Sequence, residues 1–390
     1  MSTLILTCDT GEGHNSCAKA IKEVYDAKGV PCEIVNPVRF VAEWFAKFVH
    51  WTHTTIYQKR PKVFEAGYRF TQKHNGLTTK RGSFPYWVLS FGAKKLHEYI
   101  IQNNFTDIIC VHPLLMMMVS EQQRKYRLDI PVAFVATDYT CSPGVQDSKP
   151  DVCFIPEITL AEEFLCENIR FSQLEASGIP VRQQFYRTVD RKTAKWLSGV
   201  PANASHLLMM CGSMGCGPME EMLDVLSAEE SFYITLVCGN NEKLQQRLSE
   251  KYAERKHVHI LGFVQNMSLL MDSADLFVTK PGGLSSTEAA VKCLPAVYIN
   301  AVGGCENYNL DFFASRGCAV AADSANHAAA LCKALLKDTE KLEQMRQALK
   351  KLQIPNAVKF IFETMTTRTE QRGKRNIEEC AESTEESFPM

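Results

Sequence analysis

The chain has 390 residues, more than one hydrophobic core usually supports, so two domains are expected. Its 43 Lys and Arg residues nearly balance 44 Asp and Glu residues, and neither a basic pI nor a recognition motif supports nucleic-acid binding. The 15 cysteines lack Cys-x-x-Cys spacing and follow no signal peptide, which predicts reduced thiols in a cytosolic protein without structural zinc. No apolar stretch of ~18 residues is available to span a bilayer.

Apolar runs over residues 4–8, 32–35, 108–111 and 131–136 predict strands in the first half of the chain. Helical patterns separate these runs, and the alternation predicts a doubly wound parallel sheet. The first strand leads into a glycine-rich turn that contains Gly13 and ends at His14. Parallel sheets bind ligands at this end of their strands, where a neutral imidazole can act as a general base.

Residues 39–97 carry eleven Lys and Arg residues but only two Glu residues, a net charge of +9. Three of the four tryptophans lie in this window: Trp44, Trp51 and Trp87. Basic residues mixed with amphipathic aromatics suit the headgroup layer of an anionic membrane, so we expect a docking surface here. The alternative is a buried helix face, since Phe40, Trp44, Phe45 and Phe48 recur at helical spacing.

The second half has predicted strands over residues 207–210, 234–238, 274–278 and 296–300. Glycine-rich turns follow the first and third of these strands, and each turn opens a helical pattern. The turn residues are Gly212, Ser213 and Gly215, and then Lys280, Gly282, Gly283, Ser286 and Thr287. Such turns present backbone N–H groups to an anion at the positive end of a helix, with the hydroxyls as candidate N-caps.

Glu288 follows the second turn, where its carboxylate can accept the two hydroxyls of a ribose. A nucleotide is therefore the expected ligand, and an ordinary strand–turn–helix connection is the alternative. Lys280 is a candidate phosphate contact, or else a solvated loop lysine.

The order of these motifs resembles the GT-B glycosyltransferases that transfer a sugar from a UDP-sugar to diacylglycerol. This is the monogalactosyldiacylglycerol synthase and diacylglycerol glucosyltransferase family, which is related to the lipid-II N-acetylglucosaminyltransferase. The resemblance covers roughly residues 3–340. It rests on the glycine turns and on motifs that contain His14, His112, Asp138, Phe263, Asn266, Glu306 and Asn309.

The resemblance implies a GT-B fold, an α/β architecture of two doubly wound Rossmann-like domains that face each other across a cleft. Residues 1–200 would form the acceptor- and membrane-facing domain. Residues 201–365 would form the UDP-sugar-binding domain, with final helices that return to the first domain. Residues 366–390 are polar and predict a disordered tail.

The resemblance also implies a hexosyltransferase that inverts the donor linkage and forms a β-glycosyldiacylglycerol. His14 would be the general base. Asp138 would be the alternative base or the group that orients His14. Gly13 and His112 would line the acceptor cleft.

The donor site would add Phe263 and Asn266 to the two glycine turns, and Glu306 and Asn309 would bind the sugar hydroxyls. The helix N-termini would stabilise the leaving diphosphate, so neither a metal nor another cofactor is expected. The expected partners are UDP-glucose or UDP-galactose, diacylglycerol and an anionic membrane surface. The protein would associate peripherally with the inner face of the cell membrane.

Three positions depart from the family pattern. Ser142 lies where the family commonly has a further His nearby, Cys293 replaces a Gly, and Cys305 replaces a Gln. The sequence therefore leaves open a GT-B enzyme with another lipid-linked or soluble acceptor, a UDP-sugar epimerase, or a catalytically idle UDP-sugar-binding protein.

Overall fold

The computed structural model describes residues 1–8, 12–59, 63, 66–67, 69–71, 80–126, 129–145, 148–210, 212, 217–299 and 303–385. The chain forms two compact units. The first contains the described parts of Met1–Thr54 and Arg69–Arg182 and the segment from Pro355 onward. The second contains the described parts of Thr55–Tyr68 and Gln183–Ile354.

The first unit is built on a parallel six-stranded sheet in the order β2-β1-β3-β4-β5-β6. Its strands are β1 (Thr3–Leu6), β2 (Cys32–Val35), β3 (Asp107–Cys110), β4 (Val132–Val135), β5 (Val152–Ile155) and β6 (Leu174–Ala176). The chain moves outward from β1 in both directions, so the topological switch lies between β1 and β3. Ligands bind at such switches in open α/β sheets.

Helices cover both faces of this sheet. They are α1 (Glu12–Ala27), α2 (Val38–Val41), α3 (Glu43–Lys59), α4 (Phe84–Ser90), α5 (Ala93–Gln102), α6 (Pro113–Tyr126) and α7 (Ala161–Phe164). Helix α1 buries Cys17, Ile21, Val24 and Tyr25, which share one face at helical spacing. The four central strands β1, β3, β4 and β5 are buried on both faces, which explains their continuous apolar runs.

The second unit repeats this design with a parallel sheet in the order β12-β11-β10-β7-β8-β9, and its switch lies between β7 and β10. Its strands are β7 (Ser205–Met210), β8 (Phe232–Val237), β9 (Val258–Leu261), β10 (Leu276–Thr279), β11 (Ala296–Tyr298) and β12 (Ala319–Ala321). Its helices are α8 (Arg191–Leu197), α9 (Met219–Leu226), α10 (Glu242–Lys251), α11 (Met267–Ser273), α12 (Gly283–Val291), α13 (Cys305–Ser315), α14 (Ala325–Lys337) and α15 (Thr339–Lys351). This architecture is the two-domain α/β class expected from the sequence.

The sequence placed the boundary between the domains at residue 200. In the structure the boundary between the two units lies earlier, between Arg182 and Gln183. Residues 183–200 belong to the second unit because polar contacts attach them to it. The Ser268 hydroxyl donates to the Gln184 carbonyl at 2.8 Å, and the Lys195 ammonium lies 2.8 Å from the Asp275 carboxylate. Helix α15, expected to brace the first domain, also lies within the second unit.

The last helix, α16 (Ala357–Glu385), belongs to the first unit. The prediction of a disordered tail from residue 366 is therefore wrong as far as Glu385. The prediction failed because basic residues that were assigned to a solvated tail form ion pairs with carboxylates of the first unit. Arg372 lies 3.1 Å from both Asp129 and Asp151, two carboxylates that are distant in sequence.

Helix α12 ends in a hydrogen-bonded cap that usually requires glycine. The Leu294 N–H donates to the Ala289 carbonyl at 2.9 Å, and the Cys293 N–H donates to the Ala290 carbonyl at 3.0 Å. This is the Schellman pattern, and its left-handed position is occupied by Cys293 at φ 50°. The substitution noted in the sequence therefore leaves a side chain in a conformation that L-residues avoid.

We predict that Cys293→Gly raises the free energy of unfolding by about 0.5–1 kcal/mol. Relief of the left-handed strain, about 1–2 kcal/mol, exceeds the entropy of about 0.4–1 kcal/mol that glycine adds to the unfolded chain. Urea unfolding measures the change. Cys293→Ala is the control, since it removes the thiol but keeps the β-carbon. Equal effects of the two variants would contradict the strain argument.

Candidate functional site

The switch of the first sheet brings His14 and His112 together. Leu6 and Cys110 are paired at the carboxyl ends of β1 and β3, and the two histidines follow these strands. Their ring centroids lie 4.5 Å apart at an interplanar angle of 54°. Gly13 precedes His14 in the first turn of α1, and a β-carbon there would meet no atom within 4 Å. The residues predicted for the base and the acceptor cleft are therefore neighbours.

A hydrogen bond to the backbone fixes the tautomer of His14. Its Nδ1 lies 2.7 Å from the Val111 carbonyl oxygen, which can only accept, so Nδ1 carries the proton. In the neutral ring Nε2 then holds the lone pair, which is the state of a general base. Burial lowers the pKa of His14 below its ordinary value of 6.5, although the Val111 hydrogen bond acts in the opposite direction.

His112 has the opposite tautomer. The Leu114 N–H, in the first turn of α6, donates to His112 Nδ1 at 3.3 Å. Because Nδ1 accepts, the proton of the neutral ring lies on Nε2. The His112 side chain is buried. One ring therefore offers an acceptor and its neighbour a donor.

Asp138 is half-buried in the loop after β4. The residue beside it contacts the base, because the Thr137 hydroxyl lies 3.2 Å from His14 Nδ1. The orienting groups at this nitrogen are thus the Val111 carbonyl and Thr137. The sequence prediction gave neither a role. The sequence contains no signal for the contact with the Val111 carbonyl, because every residue has a backbone carbonyl. Thr137 could have been identified, because its hydroxyl lies next to Asp138 in the sequence.

The second sheet brings the two glycine turns together in the same way. Met210 of β7 and Thr279 of β10 are paired at the carboxyl ends of adjacent strands. Gly212 follows β7 with φ +67°, and a β-carbon there would lie 3.1 Å from Lys280 Cε. The backbone conformation therefore favours glycine, and the missing side chain leaves room for Lys280. Ser213 and Gly215 lie outside the described residues.

The turn after β10 leads directly into α12. The Gly282 N–H donates to the Lys280 carbonyl at 2.8 Å, and Gly282 is the N-cap. The expectation of a hydroxyl N-cap is wrong, since the Thr287 hydroxyl donates back to the Gly283 carbonyl at 2.7 Å. Ser286 is also buried. The first backbone N–H groups of α12 have no partner within the helix, so they are able to bind an anion at this end.

The other predicted donor residues lie on several elements of the second unit. Glu288 is buried in the second helical turn of α12. Phe263, in the loop after β9, is 67% exposed, and Asn266 is exposed at the N-cap of α11. The Lys280 ammonium donates to the Glu306 carboxylate at 2.9 Å.

Asn309 is fully buried, and its amide donates to the Pro281 carbonyl at 2.9 Å. This bond holds the glycine turn, a role that differs from the predicted contact with sugar hydroxyls. In the described ranges, no group of three or more His, Cys, Asp or Glu side chains is arranged to hold a metal ion.

Two protein families match the chain. Residues 14–181 match the family described as Monogalactosyldiacylglycerol (MGDG) synthase, and this match begins at His14. Residues 221–352 match Glycosyl transferases group 1, and this match contains the turn after β10. A curated relative, the Processive diacylglycerol beta-glucosyltransferase of Bacillus cereus (strain B4264), is 26% identical over 368 residues. The alignment covers 93% of this chain and 92% of that protein.

Solved structures share the fold. MurG of Acinetobacter baumannii has a TM-score of 0.61 at 15% identity, over 94% of this chain and 99% of that one. The UDP-GlcNAc 2-epimerase of Neisseria meningitidis has a TM-score of 0.60 at 12% identity, over 94% and 100%. These findings confirm the family resemblance and the GT-B fold class. The chain is therefore a glycosyltransferase of the GT-B fold class, in which residues 14–181 are similar to the MGDG synthase family and residues 221–352 to the group 1 glycosyl transferases.

Proposed function

We propose that the protein transfers a hexose from a UDP-sugar to diacylglycerol with inversion and forms a β-glycosyldiacylglycerol. The observation that carries the proposal is His14, a tautomer-fixed and neutral base at the switch of the first sheet. The acceptor class is supported by the Bacillus cereus relative, which is named for diacylglycerol glucosylation. The donor class is supported by a fold neighbour that was solved with UDP-GlcNAc bound.

The base accounts for inversion. A hydroxyl hydrogen-bonded to His14 Nε2 loses its proton to this nitrogen as its oxygen attacks the anomeric carbon. The attack occurs from the face opposite the departing UDP. A single displacement of this kind converts an α-linked donor into a β-linked product.

The leaving diphosphate gains negative charge as the glycosidic bond breaks. The N-terminus of α12 can stabilise this charge through backbone N–H groups that are already oriented. We include in the proposal that no metal is required, since these groups perform the electrostatic task. Glu288 and the exposed ring of Phe263 are proposed to bind the nucleoside.

The proposal includes a membrane-facing surface on the first unit. Helix α3 exposes Trp44, Phe48 and Trp51, and helix α4 exposes Phe84, Trp87 and Phe91; the exposed fractions range from 51% to 73%. On α4 the rings adjoin, with Trp87 6.0 Å from Phe84 and 4.7 Å from Phe91. Contiguous exposed apolar surface of this kind marks an interaction site.

The alternative explanation of the aromatic residues in the segment 39–97, a buried helix face, applies to only some of them. Phe40 and Phe45 pack against the core, whereas the six rings above do not. Among the described residues no helix is long and apolar enough to cross a bilayer. We therefore propose peripheral binding at the cytoplasmic face of the cell membrane. Arg60 and Lys62, two basic residues of the window, lie outside the described residues.

The direct test is incubation with liposomes that contain diacylglycerol and, separately, UDP-glucose or UDP-galactose. We expect a β-hexosyldiacylglycerol, identified by mass spectrometry and by the anomeric proton coupling. Because backbone dipoles stabilise the diphosphate, EDTA should leave the rate unchanged. Transfer to a soluble acceptor alone would contradict the lipid assignment, and UDP binding without turnover would indicate a binding protein.

We predict that His14→Ala lowers kcat/KM about 100-fold or more, because the general base is lost. UDP affinity should remain near that of the wild type. The wild-type rate should fall with decreasing pH only below pH 6.5, since burial lowers the pKa at which His14 becomes protonated. His327→Ala, an exposed histidine on α14, is the matched control. Near-normal turnover of His14→Ala would transfer the role of base to Asp138.

Binding to vesicles should depend on the exposed aromatic rings of α3 and α4. We predict that Trp51→Ala/Trp87→Ala sediments less with anionic liposomes than the wild type, with UDP affinity retained. Binding should weaken as salt rises, since the Debye length is about 8 Å at physiological ionic strength. Trp196→Ala is the matched control, because Trp196 is 75% exposed on α8 in the second unit. Equal loss in both variants would contradict a specific docking surface.

A further inference from the structure

Asp107 is a buried carboxyl group at the amino end of β3. Its side chain is fully buried, and no Lys, Arg or His side chain among the described residues forms an ion pair with it. In the sheet it is paired with Thr3 of β1. An ionised carboxylate in such a place is costly unless hydrogen-bond donors compensate its charge. The available donors therefore determine whether Asp107 carries a charge.

The side-chain donors that face Asp107 are two hydroxyl groups. The Thr3 hydroxyl, which is fully buried, lies 2.9 Å from Oδ1 and 3.1 Å from Oδ2, and it has one proton to donate. The Thr106 hydroxyl lies 3.3 Å from Oδ1. An ionised carboxylate has about four lone-pair sites that accept hydrogen bonds. These two hydroxyls therefore satisfy an ionised Asp107 only in part.

The N-terminal segment competes with Asp107 for the proton of Thr106. The Ser2 N–H donates to the Thr106 hydroxyl oxygen at 2.9 Å, and the same hydroxyl lies 3.1 Å from the Ser2 carbonyl oxygen. A carbonyl and an ionised carboxylate can only accept, so the single Thr106 proton serves one of them. A protonated Asp107 removes this conflict, because its Oδ1–H donates to Thr106 and the Thr106 proton is donated to Ser2.

The titratable neighbours of Asp107 do not offset its burial. Burial is the main cause that raises the pKa of Tyr25 on α1 and the pKa of Cys32 on β2, the latter to about 12, and Asp107 adds to both shifts. The charged groups that also act on Cys32 are Lys22, Asp26 and Glu33. On the β4 side the backbone pairs with Pro131, which has no titratable side chain. Burial raises the pKa of Asp107 to about 7, although the two hydroxyls and the terminal ammonium of Met1 act in the opposite direction.

We infer that Asp107 is a protonated carboxylic acid in the folded protein and forms a pH-sensitive link between β3 and the N-terminal segment that leads into β1. The neutral acid lets Thr106 hold Ser2, whereas the ionised form competes for the Thr106 proton and places a charge in the core. The folded state binds more protons than the unfolded chain between the ordinary pKa of 3.8 and the raised pKa of about 7. The link is therefore complete at low pH and weakens as the pH rises through about 7.

The link acts on the strand pair that leads to the candidate site. The pairing of β1 with β3 extends over four residue pairs, from Thr3–Asp107 to Leu6–Cys110, and His14 and His112 follow its far end. Ionisation of Asp107 thus weakens the pair at the end opposite to the two histidines. The inference concerns the fold of the first unit and does not depend on the proposed function.

The test compares the wild type, Asp107→Asn and Glu23→Gln by amide hydrogen exchange at pH 5 and pH 8, measured in peptides that contain β1 and β3. Asparagine reproduces the neutral acid, because its NH2 group can donate to Thr106 and its carbonyl can accept from Thr3. At pH 5 the wild type and Asp107→Asn should exchange within about twofold of each other. At pH 8 the wild type should exchange about tenfold or more faster, because Asp107 is then ionised. Glu23→Gln, which removes an exposed charge from α1, should match the wild type at both pH values.

A second measurement detects the proton itself. The infrared difference between the wild type and Asp107→Asn at pH 6 should show the C=O stretch of a carboxylic acid, since an ordinary aspartate is ionised at this pH. Equal exchange of the two proteins at pH 8, or the absence of this band, would overturn the inference. If Asp107→Asn does not fold, the carboxyl groups of 13C-labelled aspartates are titrated in the wild type by NMR. One carboxyl with a midpoint near 7 supports the inference, and midpoints that all lie below about 5 contradict it.

Discussion

The chemistry of both units depends on one constraint, the register of parallel strands at a topological switch. In the first sheet this register pairs Leu6 with Cys110, and in the second it pairs Met210 with Thr279. The chain leaves such neighbours in opposite directions, so the turns that follow them meet at one edge of the sheet. Residues that are about a hundred positions apart in the first unit thereby come into ring contact.

The orientation of His14 by a backbone carbonyl has an electrostatic consequence. A carboxylate at Nδ1 would favour the imidazolium and raise the pKa, as an opposite charge does. The Val111 carbonyl is neutral, so desolvation dominates and the pKa is lowered. The arrangement therefore keeps His14, the proposed base, unprotonated at neutral pH, while it stabilises the imidazolium less than a carboxylate would. The tautomer that the proposed mechanism requires is fixed without a charged partner at Nδ1.

Local patterns in the sequence were enough to predict the strands and the glycine turns, because these depend on burial and on backbone freedom, whereas the assignment of His14 and His112 to one cleft came from the family resemblance. Local patterns were insufficient where contacts between residues distant in sequence determine the structure. The helix beyond residue 366 depends on Arg372 meeting Asp129 and Asp151. The hydroxyl of Thr287 lies on a helix that begins at glycine, so it bonds its own helix and provides no cap.

Helix α4, which carries the exposed rings of Phe84 and Trp87, is attached to the first unit by a hydrogen bond to the buried carboxylate of Glu121. The Tyr86 hydroxyl donates to Glu121 at 3.1 Å, and Arg124, with Lys125 and Tyr86, lowers the pKa of Glu121 to about 2. The carboxylate therefore stays ionised, and this anchor persists over the whole physiological pH range. Helix α4 turns Tyr86 and Leu89 inward while its rings face outward. A surface that is ordered before contact loses less conformational entropy on binding. Rigid presentation of the exposed rings thus lowers the entropic cost of the proposed binding to a membrane surface.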